Sequence, residues 1–124
     1  WLLIDSGPDK PVSAFRIAAP EKLPAASDWP PELPPLPAGA TPVQVIHLEG
    51  RDGWYGAFSG GSAEPEQGLR TVSDRLRNEG WTAVGNEARP SIGGTGDLFL
   101  RARPRTLLWV SFTRDGGAFY ARPY

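Results

Sequence analysis

A chain of 124 residues with 40% hydrophobic and 22% charged residues accommodates one core and has no room for two. Its formal net charge of -1 and its pI below neutrality set it apart from dedicated nucleic-acid binders, and no apolar run approaches the ~18 to 20 residues that cross a bilayer as a helix. Cysteine is absent, which removes disulfides, thiolate nucleophiles and Cys-based metal sites together.

The chain opens "WLLI" and contains no Met. That start is compatible with the end of a removed apolar anchor, with Trp1 at a membrane interface, or with a first strand. "PVSAFRI" (11–17) alternates enough for one short strand. Ten of the fourteen prolines fall within residues 1–42, most densely in "WPPELPPLPAGATP" (29–42). Fixed φ and missing backbone donors rule out helix or central strand there, so residues 1–41 are expected to form an extended, polyproline-like arm or spacer ahead of a single compact domain at 42–124. The PxxP spacing in "PPELPPLP" lacks an adjacent base, which favours the spacer over a groove-binding motif.

The compact part begins as a hairpin. "PVQVIHLEG" (42–50) is β-branched and apolar, "GRDG" turns, and "WYGAFSG" (54–60) is aromatic. One amphipathic helix follows at 62–80, with Ser62 as its cap, Glu64 and Glu66 at its positive end, and Leu69, Val72 and Leu76 on one stripe. Its end carries the sharpest local signal. Gly80 suits the left-handed residue of a helix stop, and the residue after such a cap folds back on the last apolar side chain, so Leu76, Gly80 and Trp81 are expected to form one structural cap.

Beyond it, "WTAVG" (81–85) reads as a strand and "NEARPSIGGTGD" (86–97) as a glycine-rich loop. "LFLRAR" (98–103), "TLLWVSFT" (106–113) and "AFYAR" (118–122) form an antiparallel meander, the last turn marked by Asp115-Gly116. The expected fold is therefore α+β: an antiparallel sheet of five or six strands, one helix packed on one face, preceded by the proline-rich arm. Alternation places Leu98, Leu100, Leu108, Val110 and Phe112 beneath the helix. The opposite face then receives Phe99, Arg101, Arg103, Leu107, Trp109 and Phe119, and the arm, with Leu23, Trp29, Leu33 and Leu36, is expected to cover it.

Chemistry is sparse. His47 is the only histidine, so a hydrolase relay would have to use it as base with Glu49, Asp52 or Ser59 nearby; its strand context favours a merely hydrogen-bonded or exposed side chain. "SGGS" (59–62), at a helix start, lacks the lysine that phosphate cradles use, and "GGTGD" (93–97) lacks the following helix. No metal ligand set and no cofactor motif is recognisable. Charge is uneven, with nine acids against four bases in residues 1–67 and five acids against nine arginines afterwards. Arginines interleaved with aromatics in 98–112 admit a single-stranded nucleic-acid platform as an alternative. The main expectation is a non-enzymatic binding or assembly module with a protein partner, located in the periplasm or cell envelope, touching a membrane only through a segment upstream of Trp1. Its candidate binding residues are Phe99, Arg101, Arg103, Trp109 and Phe119.

Overall fold

The computed structural model describes residues 2–4, 13–15, 22–85, 89–91 and 94–124, with side chains described for 22–85 and 94–124. Trp1, and with it the interfacial role considered for that residue, lies outside the described residues, as do most of residues 5–21 of the arm. Two short strands, β1 (Leu2–Ile4) and β2 (Ser13–Phe15), pair antiparallel with each other.

The body of the protein is an antiparallel sheet and one helix, an α+β fold. Strands β3 (Thr41–Leu48) and β4 (Gly53–Ser59) form a hairpin, and α1 (Pro65–Asn78) then crosses to the far edge of the sheet. There β5 (Thr82–Ala83) begins the return through β7 (Gly94–Ala102), β8 (Arg105–Thr113) and β9 (Gly116–Pro123), which closes on β4. The order across the sheet is β3-β4-β9-β8-β7-β5, and β6 (Arg89–Ser91) also pairs with β7. Pro42 lies on the edge strand β3, where a missing N–H harms no ladder, and a register shift between Pro42 and Gln44 bulges the edge beside it.

Helix α1 is shorter than its sequence pattern. Pro65 takes the first helical position, Glu64 is the N-cap without a side-chain hydrogen bond, and the Ser62 hydroxyl donates to the Glu64 carbonyl at 2.9 Å instead of capping. A proline at that position removes one of the backbone N–H groups that the first turn leaves without a partner. At the other end, Trp81 N donates to Leu76 O at 2.9 Å and Gly80 N to Arg77 O at 3.2 Å, with Gly80 at φ +90°. This is the paired 6→1 and 5→2 bonding of a Schellman stop, and both Leu76 and Trp81 are buried in the core. The apolar stripe Leu69, Val72 and Leu76 is buried as well.

Two covers share one face of the sheet. Over β8, Gly68 brings α1 so close that a Cβ there would lie 2.6 Å from the Phe112 ring. Over β4 and β9, Trp29 meets Phe58 and Phe119 edge to face at 6.2 and 6.1 Å, and Leu33 is buried beside it. Gly56 makes the same allowance for this segment, since a Cβ would lie 2.6 Å from Trp29 and 2.7 Å from Leu33. Phe58, Phe112 and Phe119 touch one another beneath the seam, with centroids 5.1 to 6.2 Å apart. The proline segment holds its shape partly through Trp29, whose indole N–H donates to the Pro34 carbonyl at 2.8 Å. Prolines leave carbonyls without matching donors, and the indole supplies one.

Residues 22–40 of the arm therefore pack on the face that carries the helix, which corrects their expected place on the opposite face, and they run through a 3-10 turn at Ala26–Asp28 and further local turns rather than as extended chain. Leu23 takes no part in the cover and is 67% exposed. The assignment of side chains to faces is corrected too. The β7–β8 turn occupies Arg103 and Pro104, with Ala102 opposite Arg105, and a two-residue turn pairs odd positions with even ones. Phe99 thus lies opposite Leu108, and Phe119 opposite Val110, all four fully buried on the roofed face, while Leu98 and Leu100 fall on the other.

Residues 94–97, expected as part of a loop, are strand. Gly94 approaches β8 so closely that a Cβ would lie 1.8 Å from the Phe112 carbonyl oxygen, so glycine here permits pairing rather than marking a loop. Residues 86–88, 92 and 93 of the same expected loop lie outside the described residues.

Candidate binding interface

The second face of the sheet is built by the alternate residues of the same strands, and its registers align one row across five of them. Ile46 lies opposite Tyr55, Tyr55 opposite Tyr120, Tyr120 opposite Trp109, and Trp109 opposite Leu98. Beside this aromatic ridge runs a row of small residues, Ala57, Ala118, Ser111 and Gly96, paired in the same way. On the ridge's other flank stand Leu107 and Leu100, with Arg122 opposite Leu107. Side chains in these rows are only partly buried, and α1 and the described part of the arm both pack on the reverse face. Trp109 is steadied by its neighbour row, because its indole lies where a Cβ on Gly96 would come within 2.6 Å of it.

Arg122 is the one charged residue in the three rows among residues 22–85 and 94–124. Such a face is apolar at its centre and polar at its margins, the composition expected of an interaction surface rather than of a wetted one. Tyrosine and tryptophan combine large contact area with few rotatable bonds, so ordering them on binding is inexpensive in entropy.

The five binding candidates read from sequence do not gather at one place. Trp109 stands in the centre of the open face. Phe99 and Phe119 are fully buried in the core and present nothing to a ligand. Arg103 is exposed in the β7–β8 turn, and Arg101 rises on the roofed face, its guanidinium 4.4 Å from the centroid of the Trp81 ring. Sequence reasoning missed Tyr55, Tyr120 and Leu98, whose alignment with Trp109 follows only from registers set by the turns.

His47 lies on the edge strand, stacked on Trp54 with centroids 4.3 Å apart, and its Nε2 is 3.6 Å from Asp52 Oδ1. Both partners of that contact are well exposed, at 39% and 85% for their side chains, so the pair is screened by water. Glu64 and Glu66 are exposed at the start of α1. Among the described residues no cluster of three or more His, Cys, Asp or Glu side chains is arranged to hold a metal ion, and no helix is long and apolar enough to cross a membrane.

The geometry defines a class, an α+β sheet protein with one face roofed by a helix and a proline segment and the other carrying an aromatic ridge. Searches of family models, curated proteins and solved structures return no significant match to the chain.

Proposed function

We propose that this protein is a non-enzymatic binding module that engages a protein partner through the open face of its sheet. The observation that supports this reading is the aligned row Ile46, Tyr55, Tyr120, Trp109 and Leu98, an uncharged ridge continuous over five strands. Burial of such a ridge against a complementary apolar surface brings about 25 cal/mol per Å² of apolar area removed from water, and aromatic side chains dominate the energetics of such contacts. A location in the periplasm or cell envelope belongs to the same proposal. It rests on the proline-rich segment alone, read as a spacer.

The test compares the wild-type chain with Tyr55→Ser, Trp109→Ser and Tyr120→Ser in affinity capture, with Arg103→Ala as a control away from the ridge. The reading expects one partner retained by the wild type and the control and lost by each ridge variant, at unchanged melting cooperativity. Equal retention by all five proteins would overturn it.

The open face also favours a second reading. Bases stack on exposed rings of a sheet, and Arg105 and Arg122 lie on one flank of the ridge, an arrangement suited to single-stranded nucleic acid. That reading expects binding of a labelled oligonucleotide at low salt that weakens steeply as salt rises. No binding at low salt removes it.

A further inference from the structure

On the roofed face, beyond the end of the cover, a hollow of about 280 Å³ opens over Trp54, Thr106 and Ala121. Arg101 forms part of its wall, and of the wall of a second hollow of about 260 Å³ that reaches Glu79 and Trp81. Arg101 sits opposite Thr106 in the β7–β8 ladder, which aims it toward the roof rather than toward the ridge. Its guanidinium is stacked over Trp81, and its Nε is buried with no acceptor among the described residues.

Stacking uses the flat face of a guanidinium and leaves its N–H edge for acceptors in the plane. A buried N–H of a charged group without such an acceptor is costly, and native structures seldom retain one without a reason. The nearby acids do not supply it. Glu79 Oε1 is engaged by Arg75 Nε at 3.0 Å, and Glu32, which borders both hollows, makes no ion pair with Arg101 among the described residues. Charged groups around the first hollow are Arg101, Arg105 and Arg122 against Glu32 and Asp52, a balance of +1.

We infer that this hollow binds a small oxyanion, a carboxylate or phosphate attached to a single-ring or short apolar body, with Arg101 meeting the oxyanion and Trp54 flanking the body. A planar pair of oxygens matches the guanidinium edge, and the aromatic and aliphatic part of the wall suits an apolar body of limited size. Arg101 and the ridge lie on opposite faces of β7, while Arg122 borders both the hollow and the flank of the ridge.

The experiment follows the Arg101 Nε–Hε resonance of the full chain during titration with benzoate, phenyl phosphate and, as an uncharged control, benzyl alcohol. The inference expects a saturable shift of that resonance and of the Trp54 indole signal with at least one of the two anions and none with the alcohol; the stronger anion identifies the head group. Arg101→Lys is expected to weaken binding by about tenfold or more, since a lysine cannot reproduce the fork, and Glu32→Gln to preserve or strengthen it. Two results would overturn the inference: an Arg101 resonance unmoved by both anions, or one displaced by Glu32→Gln in the absence of ligand with no further anion effect, which would make Glu32 the native acceptor. Should the lysine variant fail to fold, the wild-type and Glu32→Gln titrations still decide.

Discussion

Phe119 and Tyr120 are consecutive residues of β9 and live in different surroundings. Phe119 is fully buried under Trp29 and against Phe58 and Phe112, whereas Tyr120 stands in the ridge, partly exposed between Tyr55 and Trp109. Both faces of the sheet are rich in aromatic residues. Hydrophobicity along a strand therefore does not distinguish the face that the helix and the proline segment cover from the face that carries the ridge. What distinguishes them is the roof, and the roof exists where two glycines, Gly56 and Gly68, let other parts of the chain approach the sheet.

The largest effect should come from the roofed side. Phe119→Ala removes a ring with no solvent exposure from the middle of the core and is expected to cost about 3 to 5 kcal/mol, read as a fall in the urea midpoint at constant slope. A loss below about 1 kcal/mol would mean that this face is not the folding core.

Next in size is a strike at the proline half of the roof. In Gly56→Ala the new methyl would enter the space of Trp29 and Leu33, and both belong to a segment without regular hydrogen bonding to resist displacement. The expected cost is about 1 to 3 kcal/mol, accompanied by faster hydrogen exchange of the Trp29 indole N–H as its bond to the Pro34 carbonyl is lost. Exchange at the wild-type rate would show that the segment accommodates the methyl without leaving the sheet.

The helical half answers the same insult with a smaller net change. Gly68→Ala adds a methyl 2.6 Å from the Phe112 ring, which is 1% exposed and hemmed in by Phe58 and Phe119. Alanine also gains about 1 kcal/mol of helix propensity over glycine, so overpacking and propensity partly cancel. A net loss of about 1 kcal/mol is expected in thermal unfolding, and net stabilisation would mean that α1 can slide on the sheet.

Elements were more legible in the sequence than faces were. The helix declared itself through Leu69, Val72 and Leu76 at helical spacing and through Gly80 before Trp81, because caps and stripes are written in neighbouring residues. The strands declared themselves through β-branched and aromatic runs and turn residues. In "LFLRAR" three apolar residues stand in succession, so period two is blurred at the point where it had to separate Phe99 from Leu98 and Leu100. Only the turn at Arg103 and Pro104 settles that choice, through the register it imposes. The arm's landing place was hidden for another reason: a proline segment of short local turns has no periodic stripe, and Trp29 and Leu33 fit either face until Gly56 is seen beneath them. Arg101 and its hollow join residues from the arm, β4, β7, β8 and β9, a juxtaposition no local pattern contains.

The smallest effect on stability should come from the open side, and it is the one that tests the comparison most closely. Tyr120→Thr keeps a residue favoured in strands and removes an aromatic side chain that is already partly in water. Against the several kcal/mol expected at Phe119, the expected change is below about 1 kcal/mol, because the ring's lateral contacts with Tyr55 and Trp109 are cross-strand pairs of modest worth. Chemical denaturation of the two single variants under the same conditions reads the difference directly. If Tyr120→Thr were as damaging as Phe119→Ala, the ridge would be part of the folding core, and a side chain needed to hold the sheet together would make a poor candidate for a surface kept open to a partner.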